Sequence, residues 1–256
     1  MLEWDGDFVE VGGHRFYAMI AAAKAFAEDG RPTEVGDDLA LRVCKSRRMV
    51  NDLIDLLDEL QPRRILELGI LGGGSAALIA SYLPDATIAA LDIEPEPPVE
   101  LEAYLERADA RDRLRPFYGV DQSDGDRVRS IIDEVFARES IDLVIDDASH
   151  RDELTRASLD TVLPHVRPGG CYVVEDWDWA LADYSRWRPE HLAALPGGSG
   201  LVGIVQDLVS CVGSATGVFD RVDVRRTSTR AWRGKAVLDP SSFRLAEAFR
   251  AGVVLP

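Results

Sequence analysis

Acidic residues and one histidine follow two strand-like apolar runs in the second half of the 256-residue chain. They are Asp146, Asp147 and His150 after the run 141–145, and Glu175 and Asp176 after the run 171–174. If both runs are neighbouring strands of a parallel sheet, their carboxyl ends place four carboxylates and an imidazole in one crevice. Because uncompensated carboxylates repel one another, a bound cation is the simplest explanation of this cluster. Oxygen ligands favour Mg²⁺ or a similar hard ion over zinc.

Helix capping is the alternative explanation for part of this cluster. Asp146 and Asp147 precede a predicted helix, and Ser149 fits a capping pattern, so we interpret Ser149 as structural. Capping does not account for Glu175 and Asp176 at the neighbouring strand. A histidine has an ordinary pKa of ~6.5, so the one in this cluster is a candidate general base near neutral pH.

Glycines and polar residues follow three earlier apolar runs. They are Gly69, Gly73, Gly74 and Ser75 after the run 65–68, Asp92 after the run 87–91, and Asp121, Gln122 and Ser123 after the run 117–120. Glycines at a strand-to-helix turn allow close approach of a ligand, and the helix that follows offers free N–H groups. An acid at the end of the next strand suits a ribose diol. Together these features predict a nucleoside-type cofactor, with residues 121–123 either near its adenine or capping the next helix.

The five apolar runs alternate with helical stretches, which predicts the architecture that must position these residues. We place the helices at 75–82, 99–108, 126–137 and 150–165. Short apolar strands that alternate with helices indicate a Rossmann-like, doubly wound, mostly parallel sheet with helices on both faces. Residues 218–224 and 231–238 add a C-terminal antiparallel hairpin, for seven strands in all. Ligands of such an α/β sheet bind beyond the carboxyl ends of its strands.

The flanking regions have weaker patterns. Residues 8–17 predict a hairpin around the Gly12–Gly13 turn, residues 18–27 a short helix, and residues 46–60 a longer amphipathic helix that ends before Pro62.

We predict one domain, 1–256. It comprises an N-terminal lid or hairpin extension (1–45), a core that binds cofactor and metal (46–180), and an acceptor-side segment with the closing strands (181–256). The N-terminal hairpin and residues 177–196 are expected to cover the crevice, mobile without ligand and ordered with it.

Composition excludes several classes of function. The formal net charge of −16 argues against binding to nucleic acid or to an anionic membrane surface. Three widely separated cysteines indicate neither a disulfide framework nor a zinc site. The first residues lack the basic region of a signal peptide, and no apolar run approaches ~20 residues, so we expect a cytoplasmic protein.

The strand-end motifs resemble those of known enzymes. Residues 67–75, 91–93 and 119–124 look like the cofactor motifs of class I S-adenosylmethionine-dependent methyltransferases. Residues 145–150, 163–170 and 174–176 resemble a narrower group, the macrocin and mycinamicin sugar O-methyltransferases and the cephalosporin-hydroxylase-like methyltransferases. The resemblance spans about residues 62–180. One departure is Leu71, where many class I methyltransferases have glycine.

The resemblance implies a role for each matching residue. It places Glu67, Gly69 and Gly73 at the methionine end of S-adenosylmethionine, Asp92 on the ribose and Asp121 to Ser123 near the adenine; we expect Gly74, Ser75 and Asp146 in the same cofactor site. It also implies that Asp147, Glu175 and Asp176 bind Mg²⁺ and that His150 is the general base. Asp147 therefore counts among the catalytic residues.

Four aromatic residues follow the predicted metal site: Trp177, Trp179, Tyr184 and Trp187. Aromatic faces suit the C–H faces of sugar rings, whereas the alternative is that these rings pack beneath a lid. We therefore predict a metal-dependent O-methyltransferase that acts on a sugar hydroxyl of a saccharide, glycan or glycosylated natural product. The acceptor is a small molecule or an oligosaccharide, and a homodimer is left open.

Three other functions fit parts of the pattern. A catechol-type phenol O-methyltransferase also uses a metal to hold hydroxyls, but a phenol ionises more readily and has less need of a histidine base. A nicotinamide-dependent oxidoreductase is disfavoured by the terminal hairpin and the carboxylate cluster. A non-catalytic cofactor-binding subunit would not need the complete set of acidic residues and histidine.

Overall fold

The structure is a computed structural model, and it describes residues 2–19, 40–181, 200–214 and 216–249. The helix predicted over residues 18–27 lies outside these residues except for Ala18, which ends a strand, and Met19. Tyr184 and Trp187 also lie outside them.

Two β-sheets and seven α-helices form the described part of the chain. The strands are β1 (Trp4–Asp5), β2 (Phe8–Val11), β3 (His14–Ala18), β4 (Leu41–Val43), β5 (Arg64–Leu68), β6 (Thr87–Leu91), β7 (Leu114–Phe117), β8 (Ile141–Asp146), β9 (Val166–Glu175), β10 (Phe219–Val224) and β11 (Ser228–Arg233). The helices are α1 (Arg47–Leu60), α2 (Gly74–Tyr82), α3 (Val99–Arg107), α4 (Gly125–Phe136), α5 (Asp152–Val162), α6 (Val202–Gly213) and α7 (Leu245–Ala248).

The large sheet has seven strands in the order β10-β11-β9-β8-β5-β6-β7. Strands β5 to β9 are parallel, and β10 and β11 pair antiparallel with each other at one edge. This arrangement confirms the predicted Rossmann-like fold. Two strands differ in position from the prediction. The third parallel strand is 114–117 rather than 117–120, because the chain leaves the sheet before Gly119, whose φ is +66°. The last strand ends at Arg233 rather than at residue 238.

Alternate residues of the parallel strands are buried in separate apolar clusters on the two faces of the sheet. On β5, Ile65 packs in one cluster, and Leu66 and Leu68 pack in the other. Strand side chains alternate with a period of two, so a strand that is apolar throughout must be covered on both faces. Helices pack on both faces of the sheet. The sheet is therefore rigid, and the loops at its carboxyl edge are held in defined positions.

The N-terminal residues form a four-stranded sheet in the order β1-β2-β3-β4. The predicted hairpin is confirmed as β2 and β3, in which Val11 is opposite His14 across the glycine turn. Strand β4 adds to β3 in parallel. This sheet contacts α2 directly, because a Cβ on Gly74 would lie 1.9 Å from the carbonyl oxygen of Arg42 on β4. The N-terminal sheet therefore packs against the helix that begins at the glycine-rich turn.

The longer helices have the ends that their sequences predict. Ser46 caps α1 by accepting a hydrogen bond from the Met49 N–H at 3.2 Å, and Gln61 ends it in the left-handed region. Asp124 caps α4 in the same way, through the Arg127 N–H at 3.0 Å. Among the described residues, no helix is both long enough and apolar enough to cross a membrane.

Candidate active site

A cavity of about 480 Å³ opens at the carboxyl ends of β5, β6 and β8. Most of the predicted site residues line it, namely Gly69, Gly74, Ser75, Asp92, Asp121, Gln122, Asp147, His150 and Asp176. Glu67, Gly73, Ser123, Asp146 and Glu175 do not line it. The prediction also missed several lining residues, among them Glu94, which follows β6, and Lys45, which follows β4.

The glycines of the turn after β5 allow close backbone contacts. Gly69 has a φ of +80°, and a Cβ there would lie 2.4 Å from the Cα of Ala148, beside the acidic cluster. Gly73 precedes the first residue of α2 with a φ of +76° and faces Leu101 rather than the cavity. Leu71, where glycine is more usual, adopts the left-handed region all the same, with a φ of +49°, and its side chain is exposed. The turn thus keeps its glycine-like conformation at a residue that has a side chain.

Asp92 is buried at the end of β6 and fixes the glycine-rich turn. Its Oδ2 accepts hydrogen bonds from the N–H groups of Ile70 at 2.9 Å and Leu71 at 2.7 Å, and its Oδ1 accepts one from Glu94 at 2.9 Å. Hydrogen bonds to a carboxylate are stronger than neutral ones. Asp92, which the resemblance places on the ribose, therefore holds the loop after β5 and the loop after β6 in position.

Glu67 lies beneath the turn and is completely buried. Neither of its carboxylate oxygens has a hydrogen-bond partner of normal geometry among the described residues. Burial raises its pKa to about 7, against the opposing effects of the Ser75 hydroxyl and the Lys45 ammonium. A buried acceptor without a partner is costly, and it fits a site that receives a donor from a ligand.

Residues after β7 form a local network at the cavity edge. Asp121 Oδ1 accepts hydrogen bonds from the Ser123 N–H at 2.8 Å and from the Ser123 hydroxyl at 2.7 Å, and these bonds lower the pKa of Asp121. Gln122 is buried, and its Oε1 accepts a hydrogen bond from the Ser149 N–H at 2.9 Å. Gln122 thereby connects the loop after β7 to the loop after β8.

Asp146 faces the protein interior rather than the cavity. Its carboxylate accepts hydrogen bonds from Ser158 Oγ at 2.7 Å, from the Tyr172 hydroxyl at 2.7 Å and from Gln122 Nε2 at 3.2 Å. Burial raises the pKa of Asp146, and the Ser158 and Tyr172 hydroxyls oppose that rise. Its contacts therefore support the loop that contains Gln122 and Ser149, and the structure gives it no direct place in the cavity wall.

Asp147, His150 and Asp176 form the acidic cluster at the other end of the cavity. One potential ligand atom of each residue lies within 4.8 Å of those of the other two. His150 Nε2 lies 3.8 Å from Asp147 Oδ1. His150 and Asp176 both adopt left-handed backbone conformations, with φ of +53° and +50°. Residues other than glycine seldom adopt this conformation, and it is enriched at functional sites.

Lys45 joins this cluster from the N-terminal sheet. It is only 2% exposed, and its Nζ donates to Asp147 Oδ2 at 2.7 Å and to Glu175 Oε2. Burial opposes its charge, but Asp147 and Glu175 hold the pKa of Lys45 well above its usual value. Glu175 therefore faces a lysine and does not belong to the group formed by Asp147, His150 and Asp176.

Burial dominates the remaining electrostatics of the cluster. Burial raises the pKa of Glu175 to about 8 despite Lys45, and burial together with Asp147 raises the pKa of Asp176. A shift in this direction means that the surroundings disfavour one more negative charge. Two carboxylates that converge in such a place are suited to hold a divalent cation, with the His150 imidazole beside them.

Trp177 and Trp179, the two described members of the predicted aromatic group, use their indole N–H groups to support the neighbouring loops. Trp177 Nε1 donates to the carbonyl oxygen of Arg225 at 2.8 Å, and Trp179 Nε1 donates to that of His150 at 3.0 Å. Trp179 therefore contacts the strained residue of the cluster directly. The role of these rings in binding an acceptor stays a prediction.

Comparison with known proteins identifies the class that this fold and site define. Residues 66–177 match the family described as "Methyltransferase domain". The segment spans strands β5 to β9 and includes the glycine-rich turn and the acidic cluster. The fold is likewise similar to that of solved methyltransferases. One of them is the Podospora anserina methyltransferase PaMTH1, which was solved bound to S-adenosylhomocysteine (SAH). The two structures match with a TM-score of 0.57 and 19% identity, over 75% of this chain and 80% of that chain. Residues 66–177 are thus similar to a methyltransferase domain and lie in a Rossmann-like fold, which confirms the resemblance seen in the sequence.

Within this class, the chain is similar to sugar O-methyltransferases. It is 36% identical over 124 residues to the mycinamicin VI 2''-O-methyltransferase of Micromonospora griseorubida, an alignment that covers 45% of this chain and 27% of that enzyme. The demethylmacrocin O-methyltransferase of Streptomyces fradiae is 36% identical over 121 residues, with 44% and 27% covered. The MycE methyltransferase of the mycinamycin pathway, solved with Mg and SAH, is 26% identical with a TM-score of 0.53, and the match covers 74% of this chain and 49% of that chain.

The chain therefore spans about a quarter of the length of these curated relatives and about half of the MycE chain.

Proposed function

We propose that this protein transfers a methyl group from S-adenosylmethionine to a sugar hydroxyl of a glycosylated natural product, with Mg²⁺ or a similar divalent cation. The observation that carries this proposal is that the acidic cluster forms one end of the cavity whose other wall is the glycine-rich turn. A cofactor and a cation-bound acceptor would therefore meet in one space. Its similarity to macrolide sugar O-methyltransferases supports the choice of acceptor.

The cavity fits the cofactor in size and chemistry. Its volume of about 480 Å³ lies within the usual ~300–1,000 Å³ of small-molecule sites. The turn after β5 would contact the methionine part, with Glu67 as an acceptor for its ammonium group. Asp92 and Glu94 at the end of β6 would face the ribose, and Gln122 the adenine.

The cluster fits a divalent cation, with Asp147 and Asp176 as the carboxylates that would hold it. When bound, the cation would orient the acceptor hydroxyl and stabilise negative charge on its oxygen. Glu175, the third carboxylate that the resemblance implies, shares the Lys45 ammonium with Asp147.

His150 is the proton acceptor of the proposed reaction. The acceptor oxygen attacks the methyl carbon, the carbon–sulfur bond breaks, and the electron pair neutralises the sulfonium. His150 Nε2 takes the hydroxyl proton, and Asp147 Oδ1 at 3.8 Å favours the resulting imidazolium. A sugar hydroxyl is a weak acid, so this base is needed more than it would be for a phenol.

Radiolabelled methyl transfer to a panel of macrolide glycosides, simple sugars and catechols tests the proposal. We expect Mg²⁺-dependent labelling of glycosides, lost in EDTA, with SAH binding retained and no binding of NAD. His150→Ala should lower turnover by ~10²–10⁴-fold, and higher pH should partly restore it. His14→Ala is the matched control, since His14 contacts Tyr104 on the hairpin side. Full activity in EDTA or in His150→Ala would contradict the mechanism, and labelling of catechols alone would contradict the acceptor class.

The lid role of residues 1–45 and 177–196 remains a prediction within this proposal. Hydrogen exchange with and without SAH tests it, and equal protection of both segments in the two states would argue against it.

A further inference from the structure

Lys45 is held at the acidic cluster by the backbone of the N-terminal sheet. Its own N–H donates to the carbonyl oxygen of Val43 at 2.7 Å, and Val43 directly follows Arg42, whose carbonyl oxygen packs against Gly74. Lys45 is buried, and its ammonium contacts Asp147 and Glu175. Its position is therefore set by how β4 packs on the methyltransferase domain.

Asp147 uses its two oxygens for two different partners. Oδ2 accepts the hydrogen bond from Lys45 Nζ at 2.7 Å, and Oδ1 faces His150 Nε2 at 3.8 Å. An ammonium bound to one oxygen fixes the orientation of a carboxylate, and this leaves Oδ1 directed at the cluster. Such supporting contacts commonly orient the ligands of metal sites.

Glu175 contacts the same ammonium but is not part of the group that could hold an ion. Asp147 and Asp176 face the candidate cation site, whereas Glu175 faces the Lys45 ammonium. A divalent cation would balance the charges of the two aspartates.

We propose that Lys45 is a positioning residue of the metal site: it orients Asp147, and Glu175 acts through Lys45 rather than as a ligand of the ion. This inference rests on the metal site of the proposed function. It also assigns a role to the N-terminal sheet, which would supply a supporting residue to the site on the domain against which it packs.

Mn²⁺ binding followed by electron paramagnetic resonance, with the full chain and no cofactor, tests this proposal without measuring activity. Lys45→Met should weaken Mn²⁺ binding by ~10–100-fold, the usual effect of losing a supporting contact. Glu175→Gln keeps an acceptor for Lys45 and should weaken binding by less than about 5-fold, below that range. Lys235→Met is the matched control, because Lys235 is exposed, and it should bind Mn²⁺ as the wild type does.

The double variant Lys45→Met/Glu175→Gln tests whether the ammonium orients Asp147 or only balances the charge of Glu175. It also removes the buried Glu175 carboxylate, which would lack a partner in Lys45→Met and could prevent that variant from folding. We expect it to bind Mn²⁺ as weakly as Lys45→Met. Wild-type affinity in Lys45→Met, or recovery of wild-type affinity in the double variant, would overturn the positioning role. A loss above 100-fold in Glu175→Gln would make Glu175 a ligand and also overturn the proposal. If the wild type binds no Mn²⁺, the metal site of the proposed function fails, whereas the other outcomes leave that site intact.

Discussion

Gly74→Ala should separate the N-terminal sheet from the site. A Cβ at residue 74 would lie 1.9 Å from Arg42 O, whereas real Cβ atoms essentially never come closer than 3.0 Å to such a neighbour. The two backbones must therefore separate by about 1 Å. Overpacking costs ~1–3 kcal/mol of stability. The upper half of this range applies here, because the atom in the way is a backbone oxygen and not the end of a flexible side chain. We expect the free energy of unfolding to fall by ~2–3 kcal/mol, even though alanine is favoured over glycine in helices.

The displacement of β4 should also disturb the acidic cluster, because Lys45 follows β4 in the chain. A shift of β4 would move the ammonium away from Asp147, so Mn²⁺ affinity should fall together with stability. SAH affinity should fall as well, since Gly74 and Arg42 both line the cavity.

Gly72→Ala is the matched control. A Cβ at residue 72 would meet nothing within 4 Å, and Gly72 has no positive φ. We expect a change of less than about 0.5 kcal/mol, as for other substitutions in open space. Urea unfolding measures the stability of both variants, and calorimetry measures SAH binding. If Gly74→Ala were as stable as Gly72→Ala and bound SAH as tightly as the wild type, the packing of β4 on α2 would be refuted.

Three further predictions concern buried carboxylates. Asp92→Ala leaves the backbone N–H groups of Ile70, Leu71 and Glu94 without their acceptor. It should therefore lower the free energy of unfolding by ~2–4 kcal/mol and weaken SAH binding. An unchanged SAH affinity in calorimetry would remove Asp92 from the site. Burial raises the pKa of Glu67 to about 7, so the folded protein holds a proton that the unfolded chain releases above its lower pKa. Stability should therefore fall by about 3 kcal/mol as pH rises from about 4.5 to 7, and Glu67→Gln should abolish that slope in urea unfolding. Burial opposes ionisation of Asp142, but Arg167 and two backbone N–H groups hold its pKa below the usual value. Asp142→Asn should cost ~1–3 kcal/mol at pH 7, and the difference from wild type should vanish as pH falls below about 4; a constant difference would contradict it.

The sequence alone was enough to predict the sheet and the edge at which its functional groups meet. Apolar runs of four or five residues, followed by polar residues and alternating with helices, indicate parallel strands, and the carboxyl ends of such strands share one edge. Asp147, His150 and Asp176 could be assigned to one cluster for that reason. The Gly69 turn and Asp92 could be assigned to the cavity in the same way. These features are local, since each depends on a strand and the few residues after it.

The orientation of Asp146 could be predicted only in part from the sequence. Successive residues at the end of a strand point to opposite sides, so Asp146 and Asp147 could not both face the cavity. Which of the two does so follows from the packing of Tyr172 and Ser158, which face Asp146 from β9 and α5.

Only the tertiary structure decided the partners of the acidic residues. Lys45 is separated from Asp147 by 102 residues and from Glu175 by 130. Neither hydrophobic periodicity nor a spacing motif relates these positions, because the contact arises from the packing of a second sheet on α2. The sequence determined which carboxylates gather at the sheet edge, whereas long-range packing decided that Asp147 and Glu175 share a buried ammonium and that Asp146 faces the interior.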